Sequence, residues 1–355
     1  MLPFPDAYPT ILRPDDVMDA AFSEAMNGLS GDEQDVVRLL PITIAHVRRF
    51  TGGYPCGGQF QQEENYAASL LKVAVMYAAC ELHRFVTTAA LAPGTPSEVP
   101  PDQFFDALVN EFNGTILSEV PRISNQQGIS TEDVVPAYEK IFAVHQDPLV
   151  PVKIVQFHPV FAQHLRTMLF DPSALDSAVF LIQALGYGYI NGALARGGFF
   201  RDPEPNGIWI AGDFGTRPDV RIPSVNDGDV AQATTTFDMA NLYALMLEEI
   251  LTGVGGFSPR MLEMLAFNAN NGWFNNDPVI WDPAGSNVLT THVKIGEGPL
   301  KSGETVLSEG IVIHEGAHGS DFVVVYQDLR PATIPSLRVV AKLIEGTIDG
   351  FLARI

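Results

Sequence analysis

Residues 69–86 form a nearly continuous apolar run, and within 70–80 the only charged residue is Lys72. A surface helix has one apolar stripe and one polar face, so this pattern predicts a helix that is buried on all sides. Glu81, His83 and Arg84 interrupt the run before it reaches the length that a membrane span requires. We therefore expect a buried helix inside a large soluble domain, with the rest of the chain packed around it.

Towards the end of the chain the hydrophobic pattern changes to a period of two, which is typical of strands with one buried face. The predicted strands are 288–296, 306–313 and 322–326, and glycine-containing turns between them predict antiparallel pairing. Another strand is predicted at 39–50, and an amphipathic helix at 336–352.

The middle of the chain has a mainly helical pattern. Apolar residues at helical spacing predict helices at 15–29, 102–113, 131–144 and 153–187, and one that begins near Thr234. Glycine, proline and asparagine predict irregular or loop structure at 1–14, 51–58, 185–200, 207–231 and 267–282.

This order of elements predicts an α/β (α+β) fold with an antiparallel sheet flanked by terminal helices. Residues 1–60 and 275–355 would form this mixed lobe, and 61–274 would form an all-helical lobe inserted between them. The proline-broken segment 92–150 has a different composition and is predicted to be an insertion.

The 355 residues include 42 acidic and 21 basic side chains, which gives a formal net charge of −21. This charge argues against nucleic acid or an anionic membrane as the main partner. The chain starts without a basic segment followed by an apolar run, which predicts a cytoplasmic protein unless a signal has been removed. Its two cysteines, Cys56 and Cys80, leave a disulfide open, and the sequence leaves the oligomeric state open.

Lys72 is costly to bury without a partner, and it lies in the first turn of the predicted buried helix. Ser69 stands three residues earlier, so one helical turn places both side chains on the same face. The start of the helix adds unpaired N–H groups and a partial positive charge beside the serine. A hydroxyl, an amine of adjustable pKa and an anion-favouring helix end are the requirements of a serine nucleophile.

Three further polar side chains fall in the glycine-rich segment 185–200 and on the strand 288–296. Tyr189 and Asn191 stand two residues apart, so their side chains point the same way in an extended loop. Taken alone, this pattern is that of a packed tyrosine and a turn asparagine. Lys294 lies on one face of the predicted strand, where alternate side chains share a side.

His314-Glu315-Gly316-Ala317-His318 matches the zinc-protease pattern H-E-x-x-H, which requires both histidines on one face of a helix. Here the motif contains a glycine, is followed by Gly319 and lies between two predicted strands. It therefore predicts a hairpin turn, and we expect neither a metal site nor a cofactor.

In chain order, these groups resemble the three motifs of the penicillin-recognising serine enzymes, which comprise the serine β-lactamases and the D-alanyl-D-alanine peptidases. The matching residues are Ser69-Leu-Leu-Lys72 for S-x-x-K, Tyr189-Ile-Asn191 for a tyrosine form of S-D-N, and Lys294-Ile-Gly296 for K-T-G. The resemblance covers most of the chain outside the predicted insertion. It implies the β-lactamase/transpeptidase-like fold.

The third motif departs from the family pattern, because Ile295 replaces the threonine or serine whose hydroxyl helps to hold a substrate carboxylate. Lys301-Ser302-Gly303 keeps that hydroxyl, but a glycine and a proline directly before it interrupt the strand. We therefore favour Lys294 as the lysine of the third motif.

A competing match to the second motif is Ser224-Val-Asn226. It lies eight residues before Thr234, which leaves too little room for the helix and the long loop that should intervene.

The resemblance implies a role for each matched side chain. Ser69 would be the nucleophile, and Lys72 would take its proton. Tyr189 would relay that proton to the leaving group, and Asn191 would hold a substrate amide and steady the lysine. Lys294 would set the electrostatics of the site and help to keep Lys72 partly neutral.

The implied oxyanion site consists of the backbone N–H groups of Ser69 and Glu297, beside Gly296. No E-x-x-L-N segment, which activates the deacylating water of class A β-lactamases, lies between residues 191 and 234. We therefore do not expect efficient penicillin hydrolysis of that type.

The resemblance implies a serine hydrolase or acyltransferase that cleaves a small-molecule or peptide amide or ester through an acyl-Ser69 intermediate. The altered third motif motivates one alternative, a catalytically silent protein that keeps the fold for binding or interaction. A further alternative is a soluble two-lobed protein in which the three motif matches are accidental.

Overall fold

The structure, a computed structural model, describes residues 2–47, 53–121, 134–146, 152–171, 173–201, 204–215, 220–251, 257–266, 272, 274, 280 and 287–355. Its helices are α1 (Asp16–Gly28), α2 (Gly31–Val37), α3 (Lys72–Leu91), α4 (Thr95–Glu98), α5 (Phe104–Ser118), α6 (Tyr138–Ile141), α7 (Pro159–Phe170), α8 (Leu175–Leu185), α9 (Tyr187–Arg196), α10 (Thr236–Leu247), α11 (Phe257–Leu265) and α12 (Ile334–Leu352). Short 3-10 turns lie at Ala68–Leu71 and Pro101–Gln103.

The strands are β1 (Leu12–Pro14), β2 (Ile42–Val47), β3 (Tyr54–Gln59), β4 (Asn65–Tyr66), β5 (Phe142–Gln146), β6 (Lys153–Phe157), β7 (Phe200–Arg201), β8 (Asn206–Gly207), β9 (Trp209–Ile210), β10 (Ile222–Ser224), β11 (Gly228–Val230), β12 (Gln232–Thr234), β13 (Val288–Pro299), β14 (Thr305–Glu315) and β15 (Ser320–Leu329). A six-stranded sheet has the order β1-β3-β2-β15-β14-β13. Its pairs are antiparallel except for β1 with β3, which run parallel. The predicted α+β class with an antiparallel sheet is confirmed.

The six-stranded sheet lies between two hydrophobic clusters. On its outer face, Ile44 and Val324 belong to a cluster that also contains apolar residues of α1 and α12. On its inner face, Ala45 and Val323 belong to a larger cluster built from the helical middle of the chain. Alternate residues of each strand therefore enter different cores, as the period of two requires.

The helix α3 is the centre of the inner cluster. Sixteen of its 20 residues are buried, including those on every side of its first three turns. This confirms the buried helix predicted from the apolar run. Its start differs from the prediction, because residues 68–71 form a 3-10 turn and α3 begins at Lys72.

The C-terminal elements agree with the sequence patterns. The strands β13, β14 and β15 form two consecutive antiparallel hairpins, and the register of each strand pair shifts once at a bulge or irregularity. The helix α12 packs on α1, as its amphipathic pattern requires. Thr235 caps α10, because its Oγ1 accepts a hydrogen bond of 2.9 Å from the N–H of Asp238.

Two glycine-rich segments predicted as loops are regular structure. Residues 54–59 form β3, in which Gly58 approaches β2 so closely that a Cβ would lie 2.1 Å from the carbonyl oxygen of Ile42. Residues 187–196 form α9, in which Gly192 faces the ring of Phe4. A Cβ on Gly192 would lie only 2.7 Å from a carbon atom of that ring. These glycines permit close packing inside regular elements, whereas the glycine-rich sequence had predicted turns.

Three smaller predictions are also corrected. Residues 12–14, predicted as irregular, form β1 beside β3. Residues 142–144 and 153–157, predicted as helical, belong to the hairpin β5–β6, because burial of Lys153 and Val155 around an exposed Ile154 follows a period of two. Residues 48–50, 122–133 and most of 267–282 lie outside the described residues.

Both cysteines are free thiols: Cys56 lies on β3 and Cys80 on α3. Within the described ranges, no single helix has the length and hydropathy of a membrane span. The pair α8 and α9 passes that test together, but the two helices bend by 78° at their junction.

Candidate active site

Ser69 lies on the 3-10 turn that precedes α3, and its exposed fraction is 8%. The turn begins with Ala68 at a φ of +46°, a left-handed conformation that an L-residue adopts at a cost of about 1–2 kcal/mol. This unusual turn rotates the serine out of the regular helix. Its hydroxyl therefore lies at the end of α3, where the unpaired N–H groups of the helix start are close.

Lys72 is the first residue of α3 and is fully buried. Burial lowers its pKa to about 8, because the charged form loses its water. Its Nζ lies 5.7 Å from the centre of the Phe214 ring, which covers the lysine from the segment between β9 and β10. The ammonium group is thus held in a largely apolar environment, three residues after the serine.

Lys294 lies on β13 and is also fully buried. Its neighbours Val293 and Ile295 belong to the outer cluster, so the lysine side chain enters the inner side of the sheet. Burial, together with the charge on Lys72, lowers the pKa of Lys294 to about 7. Within the described part of the chain, its Nζ has no hydrogen-bond partner.

Asp171 completes the charged groups of the site. It lies in the turn between α7 and α8, and its negative charge raises the pKa of both Lys72 and Lys294. Hydrogen bonds from the Oγ (2.6 Å) and N–H (2.9 Å) of Ser173 lower the pKa of Asp171, and the two lysines lower it further. The carboxylate is therefore charged at neutral pH, exposed, and within electrostatic reach of both buried amines.

Gly296 brings β13 against the serine turn. A Cβ on this residue would lie 2.2 Å from the carbonyl oxygen of Ala67 and 3.1 Å from the N–H nitrogen of Ser69. Only glycine permits such an approach. Because β13 is the edge strand of the sheet, its outer row of backbone groups faces this turn, and Glu297 continues that row.

The two lysines considered for the third motif have different surroundings. Lys301 is exposed in the turn after β13, where its Nζ donates to the carbonyl oxygens of Asp227 and Asp229, each at 2.8 Å. Ile295, which replaces the hydroxyl residue of the family, packs in the outer cluster. The part of the candidate site that corresponds to the third motif is therefore formed by Lys294 and Gly296, and it has no side-chain hydroxyl between them.

Tyr189 does not join the other predicted residues. It lies on α9, stacked on Phe4 with ring centres 5.5 Å apart. Burial raises its pKa well above the ordinary value, the charge of Glu81 raises it further, and the charge of Arg84 opposes the shift. Glu81 is nine residues after Lys72 on α3, about 13 Å along the helix axis.

The side-chain amide of Asn191 is hydrogen-bonded to the backbone of Ile210. Its Oδ1 accepts a hydrogen bond of 3.1 Å from the N–H of Ile210, and its Nδ2 donates to the carbonyl oxygen of the same residue. On a helix, residues two apart point in nearly opposite directions, so the side chains of Tyr189 and Asn191 diverge. The extended loop predicted for Tyr189 and Asn191 is wrong, because both residues lie on the helix α9.

Asp171, which was not among the residues predicted from the sequence, acts electrostatically on both lysines, and Ser173 hydrogen-bonds to it. A signal was present, since Asp171-Pro172-Ser173 is a polar turn between two helical patterns. The competing match at 224–226 has a structural role: the N–H of Tyr66, three residues before Ser69, donates to Asn226 Oδ1 at 2.9 Å.

The H-E-x-x-H sequence spans the end of β14 and the turn to β15, as predicted. The Nδ1 of His314 lies 2.8 Å from Asp321 Oδ1, and the Nδ1 of His318 lies 2.9 Å from Glu315 Oε2. Within the ranges that the structure covers, no cluster of three histidine, cysteine, aspartate or glutamate residues is arranged to hold a metal ion.

No protein-family model matches this chain, and no curated protein matches it in sequence. Solved structures that are similar to it include a β-lactamase from Sphaerobacter thermophilus, with 13% identity and a TM-score of 0.47 over 94% of this chain and 97% of that one. A β-lactamase from Chitinophaga pinensis has 10% identity and a TM-score of 0.48 over 90% and 97%. An ancestral class A β-lactamase has 14% identity and a TM-score of 0.46 over 94% and 99%. The solved structures to which this chain is similar are thus serine β-lactamases, the family that its first and third motifs resemble.

Proposed function

We propose that this protein is a serine acyl-enzyme hydrolase or acyltransferase that acts on an amide or ester through an acyl-Ser69 intermediate. The observation that carries the proposal is the pair of buried lysines beside Ser69, whose pKa values of about 8 and about 7 make both amines available as bases near neutral pH. A serine hydroxyl needs such a base, because it is a weak nucleophile at its own pKa.

In the proposed acylation, Ser69 Oγ attacks the substrate carbonyl carbon while its proton passes to a neutral lysine amine. Lys72 is the first candidate, because it lies on the same helical turn as the serine. The C–N or C–O bond to the leaving group then breaks, and the leaving group takes up the proton. Water or an acceptor amine releases the acyl group in the second half of the reaction.

The negative charge that develops on the carbonyl oxygen needs donors close to Ser69. The N–H of Ser69 lies where β13 approaches the serine turn, and the outer backbone groups of the edge strand lie opposite. Removing one such donor typically costs about 10²–10³ in rate. The close approach at Gly296 is therefore the second observation that supports the proposal.

Leaving-group protonation cannot use Tyr189 in this arrangement, since its hydroxyl lies with Glu81 and Arg84. We propose Lys294 for this role, because its pKa of about 7 allows it to carry or release a proton at neutral pH. Asp171 stabilises the protonated form of either lysine. The two amines and one carboxylate thus form a proton-handling group beside the nucleophile.

In the penicillin-recognising enzymes, the hydroxyl of the third motif helps to hold a carboxylate of the substrate. The side chains around Lys72 and Lys294 favour a substrate that lacks this carboxylate. Ile295 packs in the outer cluster, and Phe214 covers Lys72 with an apolar ring. Phe170 and Leu175, which flank the Asp171 turn, are both partly exposed. We propose an acyl or leaving group with substantial apolar surface.

The test is covalent labelling of the full chain. A fluorophosphonate and a fluorescent penicillin are each incubated with the protein, and intact mass and peptide mapping locate any adduct. We expect a single adduct on Ser69 with at least one probe and its absence in Ser69→Ala. Labelling of Ser69→Ala to the same extent, or no labelling of either protein by any acylating probe, contradicts the proposal.

A second candidate function is a silent binding or interaction protein that keeps the fold. The observation that favours it is that Tyr189 and Asn191, the residues matched to the second motif, lie on α9, where they contact Phe4 and Ile210. The same labelling experiment separates the two candidates, since the silent protein forms no adduct with any probe.

A further inference from the structure

Asn226 connects the chain segment before the serine turn to another part of the fold. It lies in the turn between β10 and β11. The N–H of Tyr66 donates to Asn226 Oδ1 at 2.9 Å, and Asn226 Nδ2 donates to the carbonyl oxygen of Tyr66 at 3.3 Å. One side-chain amide therefore binds both backbone polar groups of the residue three positions before Ser69.

This amide covers the free edge of β4. In its three-stranded sheet β4 pairs with β12, and within the described part of the chain no strand pairs with its other side. Backbone groups at a sheet edge need other partners, which Asn226 supplies to Tyr66. The N–H of Val225 also donates to the carbonyl oxygen of Glu64 at 2.8 Å. Three hydrogen bonds thus fix residues 64–66 to the β10–β11 turn.

Asn226 is itself held by a chain of charged side chains at the end of the six-stranded sheet. Its Nδ2 also donates to Asp328 Oδ1, at 3.3 Å, in the last part of β15. Arg330 Nη2 donates to Asp328 Oδ2 at 2.9 Å, and Arg330 Nη1 donates to Glu304 Oε2 at 3.1 Å in the turn before β14. The segment before the serine is therefore tied through Asn226 to β15 and to the β13–β14 turn.

The serine turn contains a residue that depends on such support. Ala68 has a φ of +46°, and a strained conformation of this kind persists only where the surrounding structure holds it. The strand β13 supports the middle of the turn, where Gly296 approaches Ala67 and Ser69. Asn226 holds the segment that enters the turn, so the backbone is fixed from two sides.

We propose that Asn226 is a positioning residue for Ser69, which fixes the direction of the serine hydroxyl by tying Tyr66 to Asp328. Because Ser69 is the proposed nucleophile, this role rests on the proposed function. Asn226 acts through the backbone between residues 66 and 69 and does not take part in the reaction itself. A displacement of about 1 Å at a reacting group can cost about 10²-fold in rate, so the loss of this amide should be visible in the chemistry.

The first test measures Ser69 labelling in the full chain with the acylating probe that labels the parent protein. Asn226→Ala removes all contacts of the amide, and we expect the rate at saturating probe to fall about tenfold or more. The probe concentration that gives half of the maximal rate should change by less than about threefold, because Asn226 does not contact the probe.

The matched control is Asn241→Ala. Asn241 also binds backbone, since its Oδ1 accepts a hydrogen bond of 2.9 Å from the N–H of Ile11. Ile11 directly precedes β1, which lies at the opposite edge of the six-stranded sheet from β13. The control therefore removes a comparable structural contact, and Ser69 labelling should stay within about twofold of the parent.

The second test exchanges the two hydrogen-bonding partners. Asn226→Asp places two carboxylates together and should slow labelling about as much as Asn226→Ala, because like charges repel. Asp328→Asn alone keeps an acceptor for Asn226 and should slow labelling by less than about threefold. The double variant restores a donor opposite an acceptor and keeps the acceptor for the N–H of Tyr66. Its labelling should return to within about threefold of the parent, which independent effects at the two positions would not produce.

Hydrogen exchange of the peptide that spans the serine turn tests the positioning without any reaction. Asn226→Ala should speed exchange there by about tenfold or more and leave α12 unchanged, and the double variant should reverse the change. If no probe labels the parent protein, the proposed function fails, and exchange alone decides whether Asn226 holds the turn. Parent-like exchange or parent-like labelling in Asn226→Ala overturns the proposal. An equal loss of labelling in Asn241→Ala, or a double variant as slow as Asn226→Asp, also overturns it.

Discussion

Lys72 and Lys294 come from opposite parts of the chain, are both fully buried, and repel each other: the charge on Lys72 lowers the pKa of Lys294. Two buried ammonium groups near one another are costly, and proteins retain such an arrangement mostly at functional sites. Asp171 offsets part of the repulsion from the exposed side. The three charges make the site sensitive to pH.

The rate of Ser69 labelling should depend on pH through the neutral fraction of the lysine base. With a pKa of about 8 for Lys72, we expect the rate to rise about tenfold per pH unit below neutral pH and to level off above about pH 9. Asp171→Asn removes the charge that raises both lysine pKa values, so the midpoint of the profile should move to lower pH. Stopped-flow labelling between pH 5.5 and about 9.5 measures the midpoint.

The matched control for this shift is Asp176→Asn, which removes an acidic residue from the first turn of α8. Its profile should coincide with that of the parent protein. A midpoint that stays in place for Asp171→Asn, or moves to higher pH, contradicts the electrostatic role of Asp171.

Replacing Lys294 by methionine should stabilise the protein at neutral pH. The native pKa is about 7 and the ordinary value is 10.5, so between these values the unfolded chain binds a proton that the native protein does not. The stability of the parent protein therefore rises with pH across this window, and the penalty is largest at its lower end. We expect Lys294→Met to increase the free energy of unfolding by about 2–4 kcal/mol at pH 7 and by less as the pH approaches 10.5.

Urea unfolding at several pH values measures this change, and Lys342→Met is the control. Lys342 is an exposed lysine on α12 that pairs with Glu33, so its loss should cost less than about 1 kcal/mol. A Lys294→Met protein that is less stable than the parent at pH 7 would show that the buried ammonium has a partner that compensates for its burial.

Gly296→Ala should damage the site without unfolding the protein. The added Cβ meets the backbone oxygen of Ala67 at 2.2 Å, and the backbone must shift because neither group is flexible. We expect Ser69 labelling to slow by about tenfold or more, with a loss of about 1–3 kcal/mol in stability. Gly316→Ala in the β14–β15 turn is the control, since its nearest neighbour would be 3.6 Å away. Equal rates of Ser69 labelling in Gly296→Ala and Gly316→Ala would show that the close approach of β13 at Gly296 does not affect the reaction.

Tyr189→Phe should leave Ser69 labelling unchanged within about twofold, because the hydroxyl lies with Glu81 and not with the serine. Its Oη has no hydrogen-bond partner among the described residues, so stability should change by less than about 1 kcal/mol. Asn191→Ala, in contrast, should cost about 2–3 kcal/mol, since it leaves the N–H and carbonyl of Ile210 unpaired. A large loss of Ser69 labelling in a stable Tyr189→Phe protein would contradict this prediction and show that the tyrosine hydroxyl takes part in the reaction.

The agreement between sequence and structure is best for elements whose signal is local. The apolar run identified α3, and strict alternation identified β13 to β15, because burial on all sides and burial on one face leave different periods in the sequence. The spacing of Ser69 and Lys72 and the position of Lys294 on its strand follow from these elements. Glycine was the least informative residue, since it served close packing in β3 and α9 where a turn was expected.

By itself, the sequence determined the buried helix and the antiparallel strands, and it predicted two parts of the candidate site, Ser69 with Lys72 and Lys294 with Gly296. The tertiary structure decided which third element meets them, because that depends on how the helices pack and not on any local pattern. Packing of α7 and α8 brings Asp171 towards the two lysines, whereas packing of α9 carries Tyr189 and Asn191 to another part of the core.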